Sequence, residues 1–393
     1  MRIIVEGWRF IFHSYCIANQ FQLLEMLKRS DLELFHRDMP YIDKAWKTPA
    51  SLSEPTTQAL RMIPSPSPNQ SADVTLRMYC PWNFTSSTST QTWVFAATEW
   101  GVVMKNVLRG IGVSSLTETS VNSEVMMMTP SHWSKVGLIR SGVQADRIAV
   151  VPLGVDTNLY KPLTHEQRIA LRKKLGWEDY FVFLNIGGCT NRKGIRPLLK
   201  AFAATVERYP QARLVLKGSD LLYPSKEEIA KASQLILTDA ERAKVGPRLA
   251  YTGKHLSVAE VIQFYQAADA YVSPYLAEGF NLPVLEASAC GLPVICTQGG
   301  PTDDFTHPDF ALAIESQCKS IQIEGQNALM LRPNQEHLTT LMQTAIEQPS
   351  FATQARHAGP RFVAHRFTWK QVVDQLLDTI APSKTRVTID RPA

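Results

Sequence analysis

The sequence contains no hydrophobic run that approaches the roughly 18 apolar residues needed to cross a membrane. Its six cysteines form no CxxC pair, and no histidine lies at zinc-ligand spacing from two cysteines. A disulfide framework and a zinc ribbon are therefore not expected, and a reduced, cytoplasmic protein is the simplest interpretation. The opening residues, MRIIVEGW, have too short an apolar run for a signal peptide and predict a buried strand.

Strong charge of either sign is also absent. The 393 residues carry a net charge of +5, and only 20% of them are charged. No cluster of four or more basic residues occurs, whereas nucleic-acid binders present dense basic surfaces to phosphates. We therefore expect no nucleic-acid partner, and any contact with a membrane would be peripheral, at its inner face.

The length suits two domains, and both halves alternate apolar strands with amphipathic helices. This alternation predicts an α/β protein with mostly parallel sheets covered on both faces. The pattern breaks at NLYKPLT (158–164), so we place the domain boundary between residues 159 and 160. The proline-rich stretch 41–69 predicts a long surface loop, and we expect 383–393 to be disordered.

The most informative segment is YLAEGFNLPVLEASACGLPVICTQGG (275–300), in which a strand, a loop, a helix and a strand follow one another. Pro283 suits the first helical turn and Gly291 suits the helix end. The amides at this helix start form an anion site, and Glu278 and Glu286 flank it. Carboxylates beside a phosphate site suit the hydroxyls of a sugar and a ribose. On the residues alone, a surface helix with solvated glutamates explains the pattern equally well.

EGFNLPVLE resembles the Glu-seven residues-Glu pattern of the large retaining glycosyltransferase family four, whose fold is called GT-B. Similar to that family are also ASACGLPVICTQGG, YTG…AADAYVSPYLAEGF and IAVVPLGVDTNLYKP, in the same order and spacing. The opening EGWRFIFHSYCIANQFQLLEML resembles one of its branches. The resemblance implies two facing Rossmann-like domains: an acceptor domain (1–159) and a donor domain (160–366). The last helix (367–380) would cross back to the first domain.

The resemblance also implies roles for residues of the second domain. Glu278 would hold donor-sugar hydroxyls, helped by the backbone of Phe280, Asn281 and Leu282, and Glu286 would hold the ribose. Lys193, in TNRKGIRPLL, matches the family lysine that holds the pyrophosphate, and His255 and Leu256 fall where the backbone contacts the base. A solvated basic helix start (Arg192 and Lys193) and a structural histidine are the simpler alternatives.

Two positions depart from the family pattern. Many relatives have an arginine five residues before the lysine, where this chain has Gly188; we expect Arg192 to supply that charge at the cofactor-binding site. Many relatives also carry a histidine in the first domain, where this chain reads ATEWG with Glu99. Glu99 would either act on the acceptor or only satisfy backbone donors, and His13 is a second candidate. The catalytic candidates are thus Glu278, Glu99 and His13.

The expected reaction moves a sugar from a donor such as a UDP- or GDP-sugar to a hydroxyl acceptor with retention of configuration. No DxD motif occurs and Asp303-Asp304 suits a helix start, so neither a metal nor a bound cofactor is expected. The acceptor stays open among glycans, lipids and small molecules. The alternatives are an epimerase or phosphorylase of the same fold, and a catalytically degenerate protein that only binds nucleotide sugars.

Overall fold

The computed structural model describes residues 1–11, 13–43, 46 and 52–380. It contains two six-stranded sheets in which all paired strands run parallel, so the predicted fold class is confirmed. The strands of the first sheet are β1 (Arg2–Gly7), β2 (Glu33–Asp38), β3 (Val74–Met78), β4 (Gln91–Phe95), β5 (Met126–Thr129) and β6 (Ile148–Val150). Those of the second are β7 (Phe181–Ile186), β8 (Ala212–Lys217), β9 (Leu249–Thr252), β10 (Ala270–Ser273), β11 (Val294–Thr297) and β12 (Ala311–Ile314).

The strand order of each sheet determines where a ligand can bind. The first sheet has the order β2-β1-β3-β4-β5-β6, and the second has β12-β11-β10-β7-β8-β9. The order therefore reverses between β1 and β3 in one sheet and between β7 and β10 in the other. Open α/β sheets bind ligands in the crevice beyond the carboxyl ends of the strands at such a reversal.

Helices cover the sheets. In the first half they are α1 (Ser14–Met26), α2 (Glu54–Arg61), α3 (Lys105–Gly110), α4 (Leu116–Asn122) and α5 (His132–Arg140). In the second half they are α6 (His165–Leu175), α7 (Ile195–Arg208), α8 (Ser225–Ile236), α9 (Asp239–Val245), α10 (Val258–Ala267), α11 (Leu282–Ala289), α12 (Gln335–Glu347), α13 (Pro349–Arg366) and α14 (Trp369–Ile380). The segment SHWSKVGLIRSG (131–142) predicts a helix capped by Ser131, and the Ser131 side chain does cap α5 by accepting a hydrogen bond from the Ser134 amide.

The structure corrects three sequence-based expectations. The stretch 41–69 is not wholly a loop, because α2 forms within it, although residues 44, 45 and 47–51 lie outside the described part. The β-branched and aromatic residues of TWVFAATEW (92–100) predict a strand over that range, but the strand ends at Phe95, so Glu99 lies in the following loop. An antiparallel hairpin of β13 (Ser316–Ile323) and β14 (Gln326–Pro333) also forms, which the sequence reading missed.

The hairpin reaches the first domain. The Leu329 amide donates to the carbonyl of Trp100 at 2.8 Å, and the Gln326 side chain donates to the carbonyl of Val103 at 2.8 Å. Gln326 also accepts a hydrogen bond from the Lys105 amide at 2.6 Å. The hairpin therefore fixes the loop that follows β4.

The last helix, α14, crosses back to the first domain as expected. The Trp369 ring stacks on Phe21 of α1 with ring centroids 5.7 Å apart, and Arg29 pairs with Asp374 at 2.7 Å. A Cβ atom on Gly154 would lie 2.9 Å from Trp369, so a glycine is needed at this close approach. The tail predicted to be disordered, 383–393, lies outside the described residues, and the domain boundary after residue 159 stays a prediction.

Candidate functional site

A cavity of about 510 Å³ lies between the two sheets and receives residues from both strand reversals. The first domain lines it with His13 and Glu99, among others, and the second domain with loops that follow β7 and β10. Most of the predicted site residues meet here: His13, Glu99, Gly188, Arg192, Lys193, Glu278, Phe280, Asn281, Leu282 and Glu286. His255 and Leu256 are not among the described residues that line this cavity. The structure therefore does not place them with the other predicted site residues.

Two cations and two carboxylates form a network across the cavity. Lys193 donates to Glu278, whose other oxygen lies 3.5 Å from Arg192. Arg192 also pairs with Glu99 of the first domain at 3.0 Å. Burial opposes the charge of Arg192, but Glu99 and Glu278 outweigh it and raise the arginine pKa. The two positive and two negative formal charges of these groups therefore cancel. The sequence predicted the two cations but not their pairing with carboxylates.

Burial also raises the pKa of Glu99, with a further increase from Glu278, while Arg192 and Lys193 oppose it. The side chain is 37% exposed and lines the cavity. Such a carboxylate is a better proton acceptor than one in open water, because its charged form is less well solvated.

The backbone holds the loop that carries Glu278. The amides of Leu276 and Ala277 both donate to the carbonyl of Arg192, at 2.7 and 3.2 Å, which joins the two charged loops. The carbonyl of Gly279 accepts hydrogen bonds from Ser131 and Ser134 of the first domain, at 2.6 and 3.2 Å. These contacts position Glu278 from both domains.

Asn281 starts α11 in a left-handed conformation with a φ of 76°. Its side chain donates to the Ser273 hydroxyl at 2.9 Å, which fixes the turn. Pro283 lies in the first helical turn, as predicted, and Asn281, Leu282 and Pro283 line the cavity, so the positive end of the helix dipole lies at the cavity wall. This end of the helix can bind an anion.

Glu286 lies one turn inside α11 and is 8% exposed. It accepts a hydrogen bond from the Tyr265 hydroxyl at 2.7 Å. Burial raises the pKa of Glu286, while hydrogen bonds from Tyr265 and Tyr160 oppose the shift. The two tyrosines orient the carboxylate towards the cavity, and neither was singled out from the sequence, where both occur in ordinary apolar contexts.

His13 caps α1, where its Nδ1 accepts a hydrogen bond from the Tyr15 amide at 3.3 Å. Burial and the positive charges of Arg192 and Lys193 lower its pKa to about 4. The imidazole is therefore neutral at physiological pH, and its ring packs against Trp8 and Trp46. His13 thus both caps α1 and lines the cavity.

Gly188 follows β7, and the ring of Tyr223 fills the space above it. A Cβ atom at Gly188 would lie 2.8 Å from this ring, so a larger residue would displace the tyrosine. Burial raises the pKa of Tyr223, and Glu99 and Glu278 add to that increase while Arg192 opposes it. The Tyr223 ring therefore occupies the space beside Gly188, and nothing in the local sequence indicated this contact.

Lys217 is a further cavity-lining residue that the sequence reading missed. It ends β8, is 4% exposed and donates to the carbonyl of Gly218. Burial lowers its pKa. A lysine at the end of the apolar strand ARLVLKG was the available signal, since buried lysines are rare unless they are paired.

Within the described ranges, no helix has both the length and the apolar character that spanning a membrane requires. The same residues contain no group of three or more His, Cys, Asp or Glu side chains that could hold a metal ion.

Comparison with known proteins identifies the second half of the chain. Residues 167–361 match the model of the family described as glycosyl transferases group 1. The chain is 31% identical over 185 residues to the O-antigen chain mannosyltransferase B of Escherichia coli, covering 45% of this chain and 44% of that one. It is 26% identical over 241 residues to a D-inositol 3-phosphate glycosyltransferase of Rhodococcus jostii (strain RHA1), covering 61% and 48%. These matches span about half the length of the curated relatives.

Solved structures resemble the whole chain. The Anabaena protein Alr3699/HepE, crystallised with UDP and glucose, has a TM-score of 0.66 at 15% identity and covers 97% of this chain and 99% of its own. WaaG, a glycosyltransferase involved in lipopolysaccharide biosynthesis, has a TM-score of 0.59 at 16% identity and covers 98% and 100%. Through its residues 167–361 the chain belongs to the glycosyl transferases group 1 family, and its two facing domains have the GT-B fold.

Proposed function

We propose that this protein transfers a sugar from a nucleoside diphosphate sugar to the hydroxyl group of an acceptor. The observation that carries the proposal is the meeting of Arg192, Lys193, Glu278 and the start of α11 in one cavity. The cavity offers cations and amides to a diphosphate, and it offers a carboxylate to sugar hydroxyls. The UDP and glucose held by the Anabaena structure support this assignment.

Donor binding would exchange partners within the charged network. The diphosphate takes Lys193, Arg192 and the amides at the start of α11, since each of these favours an anion. Glu278 then loses its ion pairs and becomes available to accept hydrogen bonds from the donor sugar. Glu286, which Tyr265 and Tyr160 already orient, binds the ribose hydroxyls.

The chemistry that we propose proceeds with retention, as the resemblance to the retaining family implies. The bond between the anomeric carbon and the phosphate oxygen breaks, and the acceptor oxygen bonds to the same face of the sugar. The acceptor's proton passes to the departing phosphate oxygen, and Glu99 orients the acceptor hydroxyl. Arg192, Lys193 and the helix amides stabilise the charge that develops on the leaving diphosphate, so the reaction needs no divalent metal.

The test uses Lys193→Ala, with Lys200→Ala as the matched control. Lys200 lies on α7 and pairs with Glu241 at 2.6 Å, away from the cavity. Purified protein is incubated with UDP- and GDP-sugars with and without acceptors, and released nucleoside diphosphate is measured. We expect release by the wild type and by Lys200→Ala, also in excess EDTA, and weaker nucleotide binding by Lys193→Ala, by about 1.5–3 kcal/mol.

Three outcomes would contradict the proposal. Binding of nucleotide sugars without any release of diphosphate would indicate a binding protein. An NMR spectrum of the product with inverted anomeric configuration would exclude retention. Complete loss of activity in EDTA would exclude the proposed role of the cationic side chains.

A further inference from the structure

The part of the cavity that belongs to the first domain is mainly apolar beyond His13 and Glu99. The loop after β4 lines it with Trp100, Val102 and Met104, and α1 adds Ile17. All four side chains are partly exposed rather than buried in the core. The loop that carries the acceptor-facing Glu99 therefore continues directly into an apolar wall.

Several polar side chains on this side already have partners within the protein. The Gln20 side-chain oxygen accepts from the Phe10 amide at 2.8 Å, and the Thr98 hydroxyl donates to the Ser134 carbonyl at 3.3 Å. The Tyr15 hydroxyl accepts from the Trp82 indole at 3.3 Å. A polyhydroxylated group placed along this side, away from Glu99, would lose water and gain few hydrogen bonds in return, which costs binding free energy.

The apolar wall is also held in place from behind. The carbonyls of Trp100 and Val103 accept hydrogen bonds from the hairpin, and the Lys105 amide donates to Gln326. Met104 caps α3 with no side-chain hydrogen bond to the helix. The Met104 side chain therefore lines the cavity and does not cap the helix. The hairpin contacts hold the apolar wall in place without a ligand, as is usual for ligand sites.

We propose that the acceptor is amphiphilic, with its reactive hydroxyl beside Glu99 and a hydrocarbon group along the wall of Trp100, Val102 and Met104. The inference rests on the proposed function, because it assumes that this side of the cavity receives the acceptor. It selects, among the acceptors left open by the sequence, one that carries an alkyl or aryl group next to the hydroxyl that is glycosylated.

The experiment compares hexyl β-glucoside with methyl β-glucoside as binding probes. Each is titrated by calorimetry into protein saturated with UDP or GDP, whichever raises the melting temperature more. We expect the hexyl glucoside to bind at least about tenfold more tightly, because its extra methylene groups leave water for the apolar wall.

The variant Met104→Asn removes apolar surface from the wall. Asparagine is a favoured N-cap residue, so α3 keeps its start and the protein is expected to fold. The hexyl-to-methyl affinity ratio should fall to under about threefold. The control Val121→Thr changes an exposed side chain of the same domain, 61% exposed on α4, and should leave the ratio unchanged.

Equal affinities for the two glucosides, no binding of the hexyl glucoside, or an unchanged ratio in Met104→Asn would each overturn the inference. Release of nucleoside diphosphate from nucleotide sugars is measured on the same preparations. Its absence would contradict the proposed function and not the apolar subsite, so the two failures are distinguishable.

Discussion

Glu278 and Glu286 have different surroundings, although the sequence places them only eight residues apart. Glu278 is paired with Lys193 and Arg192, whereas Glu286 accepts hydrogen bonds from tyrosine hydroxyls and forms no ion pair with any described residue. A carboxylate that shares its cations with the ligand must give them up on binding. A carboxylate held only by hydroxyls can accept ligand hydrogen bonds without that exchange.

This difference predicts opposite effects on binding of the bare nucleoside diphosphate. Glu286→Gln should weaken binding by about 1.5–3 kcal/mol, because a charged acceptor for the ribose is lost. Glu278→Gln should leave the affinity unchanged or raise it, because Lys193 and Arg192 are released for the phosphates. Calorimetry with UDP and GDP on both variants measures this, and an equal loss in the two would show that the assigned roles are wrong.

His13 makes stability depend on pH. Folding lowers its pKa from the ordinary value of 6.5 to about 4, so the unfolded chain binds the proton more tightly. The contribution to stability is therefore fully present above about pH 6.5 and is lost as the pH falls towards 4.

His13→Asn isolates this contribution, since asparagine can keep the cap on α1. Between pH 7 and 4.5 the wild type should lose about 2 kcal/mol more unfolding free energy than the variant. Urea denaturation at several pH values measures the difference. Parallel pH curves for the two proteins would mean that His13 titrates normally.

At the scale of the element, the hairpin β13–β14 depends on close approach to the loop after β4. Gly101 has a φ of 64°, and a Cβ atom there would lie 2.9 Å from the Leu329 side chain. Gly112 has a similar φ of 71° but no atom within 4 Å of such a Cβ. Comparing alanine substitutions at these two glycines therefore distinguishes the cost of backbone strain from the cost of packing against the hairpin.

We expect Gly112→Ala to cost about 1 kcal/mol from the left-handed backbone alone. Gly101→Ala should cost about 1–3 kcal/mol more, because an added methyl group overpacks against Leu329. Adding Leu329→Ala to Gly101→Ala should recover part of the difference. Denaturant unfolding of the three variants is the measurement, and equal losses for the two glycines would mean that the hairpin does not pack there.

The elements that the sequence predicted well are those whose pattern is local. The apolar runs of β1, β5 and β7 and the capped helix α5 follow from hydrophobic periodicity and from Ser131. The hairpin was missed because its strand SQCKSIQI is largely exposed, so no apolar run marks it, and because its hydrogen bond to Trp100 is made to the other domain. The end of β6 is not marked by the pattern for the opposite reason: the strand is three residues long, but RIAVVPLGVD (147–156) predicts a longer one because apolar residues continue into the loop.

The sequence predicted the part of the candidate site that lies on one segment. It predicted less well the part that depends on contacts between distant segments. The start of α11 with Glu278 and Glu286 is local to one strand-loop-helix segment. Arg192 and Glu99 are 93 positions apart in the sequence, so their pairing depends on how the two domains face each other. Tyr223 above Gly188 and Lys217 in the cavity likewise depend on packing that no local pattern encodes.

At the scale of the whole molecule, several contacts besides the Arg192–Glu99 pair join the domains, and three of them involve α5, the hairpin and α14. Ser131 and Ser134 bind the carbonyl of Gly279 beside the charged network, and the hairpin binds the loop after β4. The third connection is α14, whose residues Val372, Val373, Leu376 and Leu377 belong to the same buried cluster as β1 and β3. That cluster also includes residues of β7, β10 and α11, but the stacking of Trp369 on Phe21 places the last helix against α1 of the first domain, although it follows the second domain in the chain.

This arrangement predicts that Trp369→Ala weakens the first domain from a distance in sequence. Trp369 is 3% exposed and stacks on Phe21, so its removal should cost about 3–5 kcal/mol of unfolding free energy. Lys370→Ala, one residue on, changes a 74% exposed side chain that pairs only within α14, and should cost less than about 0.5 kcal/mol. Hydrogen exchange should show the loss of protection in α1 of the first domain and much less in α7 of the second, because Phe21 lies on α1. Greater loss in α7 than in α1 would place the helix in the second domain's core instead.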